Sequence, residues 1–178
     1  MKSRRNFLKS SVLSIAATPF ITTKKNSESD SPIVKQSEEC EVFFVRENTP
    51  ITFNITKTKD NISSIALLSE ELLAGSKIPT HKHLNEDEYF FFLSGTGIVS
   101  IEDKTFSFKP GATAFIPKNT FHSLENTGTE KVVFNFGYSP AGFEDFFREA
   151  GTPKGQEFKP KPKDEFDAIA RKYGMVFK

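Results

Sequence analysis

Between Glu41 and Gly137 the chain is a succession of short runs of β-branched and aromatic residues, each closed within a few residues by Gly, Pro, Asn or Asp. No run is long enough to carry a helix. Short runs at this spacing bury an apolar face only by pairing into a sandwich or barrel, so the fold class is all-β. The expected strands are Val42 to Arg46, Ile51 to Thr56, Ser63 to Leu68, a segment through His81 and His83, Tyr89 to Leu93, Gly97 to Glu102, Thr105 to Lys109, Thr113 to Ile116, His122 to Glu125 and Lys131 to Gly137. Gly95-Thr96-Gly97 and Glu102-Asp103-Lys104 read as tight hairpin connections.

The period then changes. Phe143, Phe146, Phe147 and Ala150 stand at i, i+3, i+4 and i+7, one apolar helical face, with Gly151 as its stop. After the spacer Lys159-Pro160-Lys161-Pro162-Lys163, the same spacing returns in Phe166, Ile169, Ala170 and Tyr173, with Asp164 placed to cap the start and Gly174 the end. Both helices are expected to pack on the outside or the mouth of the barrel. The chain of 178 residues has room for one domain. The strands make a barrel over 41–140, and 141–178 form a C-terminal helical extension.

Charge and composition narrow the partner. Lys and Arg number 24 against 23 Asp and Glu, a net charge of +1 that gives no electrostatic case for nucleic acid. With 20 Phe and no Trp, the interior is built from Phe, and a cavity left within it is apolar with few polar anchors. A small neutral or weakly polar molecule is the expected ligand.

At the N-terminus, Ser3-Arg4-Arg5-Asn6-Phe7-Leu8-Lys9 precedes a mild apolar segment, Ser11 to Thr18, too short to span a bilayer. It resembles the twin-arginine signal of bacteria, which implies a signal peptide over 1–25, a periplasmic location and no membrane anchor once the signal is removed. Polar residues 26–40 read as a flexible tether. Cys40 is the single cysteine, excludes an internal disulfide and is read as an inert thiol.

The histidines carry the chemistry. There are three. His81 and His83, one residue apart, place both rings on one face of a strand while Lys82 points away. Glu88 begins the next strand, so a hairpin return brings its carboxylate alongside, with Glu86 and Asp87 as alternative carboxylates. His122 opens another strand and reaches in from across the barrel. Three imidazoles and a carboxylate suit a divalent Fe, Mn, Ni, Cu or Zn ion. By parity, Phe90 and Phe92 share the face of Glu88, and Leu124 that of His122. These three are the expected apolar wall of a substrate pocket.

Here the chain resembles the cupin family through both of its motifs. The first is Gly75, His81, His83, Glu88 and Gly95 at the family's spacing. Gly111, Pro117, His122 and Asn126 supply the second, with Asn119 standing where the family usually has Gly. Asn is the residue other than Gly best suited to positive φ, so the turn is expected to survive. The spacing to Gly95 favours Glu88 over its acidic neighbours. The resemblance implies a jelly-roll barrel, one metal ion on His81, His83, Glu88 and His122, and commonly a homodimer. Cupins include dioxygenases, isomerases, decarboxylases and binding proteins. With every histidine given to the metal, proton transfer falls to Glu88, a Tyr or a metal-bound water, which favours a dioxygenase of a small aromatic or enolic compound holding Fe or Mn. The segment after Ser139 also looks like the extension of small quercetin-dioxygenase-like cupins.

Overall fold

The computed structural model describes residues 31–178. The signal-like segment over 1–25 and the first residues of the tether lie outside the described residues. A 3-10 turn at Ser37–Glu39 leads into twelve strands and three short helices among the described residues. The strands are β1 (Glu41–Arg46), β2 (Thr49–Ile55), β3 (Ala66–Leu72), β4 (Lys77–His83), β5 (Asp87–Ser94), β6 (Gly97–Ile101), β7 (Lys104–Phe108), β8 (Thr113–Ile116), β9 (His122–Glu125), β10 (Val132–Ser139), β11 (Thr152–Pro153) and β12 (Met175–Phe177). The helices are α1 (Lys57–Asp60), α2 (Asp145–Ala150) and α3 (Lys163–Lys172).

The strands form two antiparallel sheets, ordered β11-β1-β2-β3-β10-β5-β8 and β12-β4-β9-β6-β7. Their inner faces share one core, the jelly-roll arrangement expected for a cupin with C-terminal helices. Along β10, Val132, Phe134, Phe136 and Tyr138 alternate inward and are buried. Their neighbours on β3 and β5 align with them rung by rung. Ala66, Tyr138 and Glu88 form one rung, Leu68, Phe136 and Phe90 the next, and Glu70, Phe134 and Phe92 the third. Each Phe so buried contributes about 1.5–3 kcal/mol over leaving it in water.

Two local expectations change and a third holds. The third strand runs over Ala66–Leu72, starting after Ser63 and continuing past Leu68, because Glu70 and Glu71 are accommodated on opposite faces. Glu70 turns inward to Arg46, while Glu71 pairs outside with Lys131 at 2.7 Å. Gly95-Thr96-Gly97 is not a hairpin, since β5 and β6 belong to different sheets and the segment carries the chain from one to the other. A Cβ on Gly97 would strike the Glu125 carbonyl and the Phe108 ring, so this crossing admits no side chain there. Glu102-Asp103 does close the β6–β7 hairpin, with Glu102 at φ 52°.

The extension supplies strands as well as helices. Its β11 lies against β1, and its β12 against β4, so it completes an edge of each sheet. Phe146 and Phe147 of α2 and Ile169 and Ala170 of α3 are buried, as their spacing predicts. Pro162, not Asp164, occupies the position before the first turn of α3, and Gly174 ends that helix at φ 77°. The Cys40 thiol is half-buried, 3.5 Å from the Gln36 carbonyl.

Candidate metal centre and its cavity

β4 runs as an extended ladder with a bulge between Ile78 and His81, and its inward positions put His81 and His83 in the interior, both buried. His122 is the cross-strand partner of His81 on β9, and Glu88 enters from β5 in the other sheet, opposite Tyr138. Asn119 adopts φ 65°, so the turn before His122 keeps the left-handed geometry for which the family uses Gly. Its amide donates to the His83 carbonyl at 2.6 Å and ties the two ligand strands together.

One donor atom from each of His81, His83, Glu88 and His122 lies within 4.8 Å of every other. Backbone carbonyls fix two of the rings. His81 Nδ1 is 2.8 Å from the Pro79 oxygen and His122 Nδ1 is 3.1 Å from that of Thr120. A carbonyl only accepts, so in both neutral rings Nδ1 carries the hydrogen and Nε2 turns a lone pair to the centre. His122 Nε2 is 2.7 Å from Glu88 Oε2, and His83 Nε2 is 3.3 Å from it, yet none of these three atoms has a hydrogen-bond partner. Two imidazole nitrogens and a carboxylate oxygen buried this close together are satisfied either by a proton between His122 and Glu88 or by a cation that all of them hold. A divalent ion fits that demand, and the donor set is that of a borderline transition metal.

Electrostatics follow from this enclosure. Burial, reinforced by His122, pushes His81 down to about 3. For Glu88, burial works upward, but His83 and His122 overcome it and hold the carboxyl far below its usual range. Burial opposes a charge on His122, while Glu88 draws its pKa upward and prevails. The Tyr138 hydroxyl is driven well above the usual value by burial and by Glu88. The alternative carboxylates stand apart from the cluster. Asp87 accepts from the Lys118 amide at 2.9 Å, and Glu86 lies outside the four-residue group.

His81, Glu88 and His122 form part of the wall of a cavity of about 200 Å³. Phe90 and Leu124 line it, as parity predicts, together with Tyr138, Phe143 and Phe177. Phe92 shares their inward face but is not in the lining; its ring stacks on Phe108 at 3.7 Å. Sequence reasoning missed Arg46, Glu70 and Phe177, which also line the cavity. Parity along the β10 run could have found Tyr138. Nothing local marks Phe177, whose ring comes within 6.2 Å of His81 only through the β4–β12 pairing.

Fold and donor set together define a cupin-type barrel whose buried His and Glu cluster can hold a metal ion. Comparison with known proteins agrees. Residues 68–137 match the family model described as Cupin domain. An uncharacterized protein of Methanocaldococcus jannaschii is 35% identical over 72 residues, 40% of this chain and 58% of that protein. An oxalate-binding protein of Thermotoga maritima is 34% identical over 64 residues, 36% of this chain and 53% of that protein. The chain thus spans little more than half the length of these relatives. A predicted oxalate decarboxylase of Thermotoga maritima shares the fold with a TM-score of 0.53 at 24% identity, covering 61% of this chain and 99% of that one. The family model matches the barrel over 68–137, and the solved structure shares its fold.

Proposed function

We propose that the barrel is a metal-dependent dioxygenase acting on a small aromatic or enolic compound, with iron or manganese as the ion, in a protein exported to the periplasm. One observation carries this: three of the four donors open into a cavity walled by Phe rings. Such a wall takes a planar apolar body and leaves the donors to orient its oxygens. A bound ion would supply the redox and Lewis-acid chemistry. The chain supplies the rest. Glu88 is the carboxylate at the cavity wall placed to receive the proton of an enol whose acidity a bound ion would raise, and Tyr138, beside it, holds a neutral hydroxyl that steadies the carboxylate. The Phe lining excludes water from the reacting carbons.

The named ligand of the Thermotoga relative motivates a second reading, a binding protein for a small dicarboxylate. The lining weighs against it. Two carboxylates would meet Glu88 and Glu70 in an apolar cavity whose Arg46 is already paired. Oxygen uptake decides between them. Iron- or manganese-loaded protein mixed anaerobically with flavonols and other enolic compounds should consume oxygen when air is admitted. No uptake across that panel, with binding of oxalate, would favour the second reading.

A further inference from the structure

Arg46 and Glu70 are out of place in a chamber of Phe rings. Glu70 is 3% exposed, on the inward face of β3 among Leu68, Leu72 and Phe134. Its carboxylate accepts from Arg46 Nη2, and both residues line the same cavity as the metal ligands. The Arg46 Nε–H is buried and has no partner. An ion pair whose carboxylate is buried among apolar side chains while its guanidinium is 31% exposed is seldom the most stable filling of such a space, and the buried, unused Nε–H beside it costs stability.

The strand register places this pair at the opposite end from the ion site. Glu88 sits on the first rung with Tyr138 and Ala66, and Glu70 on the third with Phe134 and Phe92. Four residues along a strand span about 13 Å, and the intervening β10 adds about 10 Å sideways between Glu88 on β5 and Glu70 on β3, so the two backbone positions lie about 16 Å apart. Allowing about 2 Å for a metal bond and about 3 Å for a hydrogen bond leaves about 11 Å between backbone positions, part of which the two inward side chains take up, so the space suits one aromatic ring with a short oxygenated chain. The cavity of about 200 Å³ is smaller than the roughly 300–1,000 Å³ of sites for larger ligands, which again fits a single ring.

We infer that the Arg46–Glu70 pair is the second recognition point of the cavity and binds a hydroxyl on the end of the ligand remote from the metal donors. The pair is neutral overall, so it has no call for a further anion. A phenol satisfies both members: its oxygen accepts from Arg46 Nε, and its hydrogen goes to Glu70. The ligand class is therefore an elongated one-ring compound, metal-chelating at one end and hydroxylated at the other. This rests on the cavity being the substrate chamber, but not on any turnover within it.

The test uses zinc-loaded protein, which cannot turn over by oxygen chemistry, and calorimetric titration with 4-hydroxyphenylpyruvate and phenylpyruvate, which differ only in the remote hydroxyl. Hydrogen bonds to charged groups predict that the hydroxylated probe binds about 10- to 100-fold tighter. That ratio should fall to near one in the Arg46→Met/Glu70→Leu double variant, which keeps the volume, and should narrow in Glu70→Gln. Equal affinities in the unaltered protein, no binding of either probe, or a ratio retained in a folded double variant would each overturn the inference. Failure of the dioxygenase proposal would appear as absent oxygen uptake and leave the ratio untouched.

Discussion

Replacing His122 with Ala tests the metal site through stability as well as composition. The four donors converge only in the folded chain, because β4, β5 and β9 bring them from two sheets. An ion therefore binds the folded state and stabilises it by RT ln(1 + [M]/Kd), about 4 kcal/mol when the ion is at a thousandfold excess over Kd. For a chain of this size each kcal/mol moves Tm by about 2–4 °C, so adding manganese to chelator-treated protein should raise Tm by roughly 8–16 °C. If loss of His122 weakens binding to where Kd equals the same metal concentration, the increment falls to about 0.4 kcal/mol, roughly a degree. The metal-free variant loses the His122 contacts to Glu88 and Thr120 and leaves a void, so its own Tm falls as well, and the metal-linked increment is the quantity that reads out the ligand. Scanning calorimetry with and without manganese measures both quantities, and Lys82→Ala, on the same β4 but off the cluster, serves as control. If His122→Ala kept the full metal-linked rise, the ligand assignment would be wrong.

Metal-free protein should lose stability on acidification from about pH 6.5 toward 3. His81 has its folded pKa depressed below 6.5, so in that window the unfolded chain binds more protons and stability rises with pH. His122, with its raised pKa, adds stability that is already complete below about pH 6.5 and is lost only at higher pH, so it does not oppose the trend in this window, and removing the His81 titration in His81→Asn should flatten a plot of Tm against pH. Gly137→Ala should cost about 3 kcal/mol or more in urea unfolding, because a Cβ there meets the Ala66 carbonyl and the Tyr89 hydroxyl next to the rung that carries Glu88. At Asn119, φ 65° predicts that Gly is tolerated while Ala costs about 1–2 kcal/mol, and only the Ala variant should lower Tm appreciably.

How far the sequence could be read depended on whether the governing contact was local. The strand parity that sets His81 beside His83, and the turn residue Asn119, act over a few positions, and the structure follows both. Glu70 shows the reverse. Read locally it ends a strand, because an acidic residue in a Phe-rich core has no visible partner until β1 delivers Arg46 across the sheet. Phe92 obeys parity and still misses the cavity, since depth along the barrel is set by stacking on Phe108 from β7, which no period reports. The strands β11 and β12 are too short to show a period of their own and exist through edges offered by β1 and β4.

That last pairing has a consequence in time. β4 carries half of the donors, yet its outer edge stays open until residues 175–177, far along the chain, fold back onto it. Until then two imidazoles stand on an unsatisfied strand edge, the kind of surface that captures stray metal or the strand of another molecule. The return of β12 works as a closing seam. A chain shortened before Met175 should retain all four donors and still hold its ion poorly.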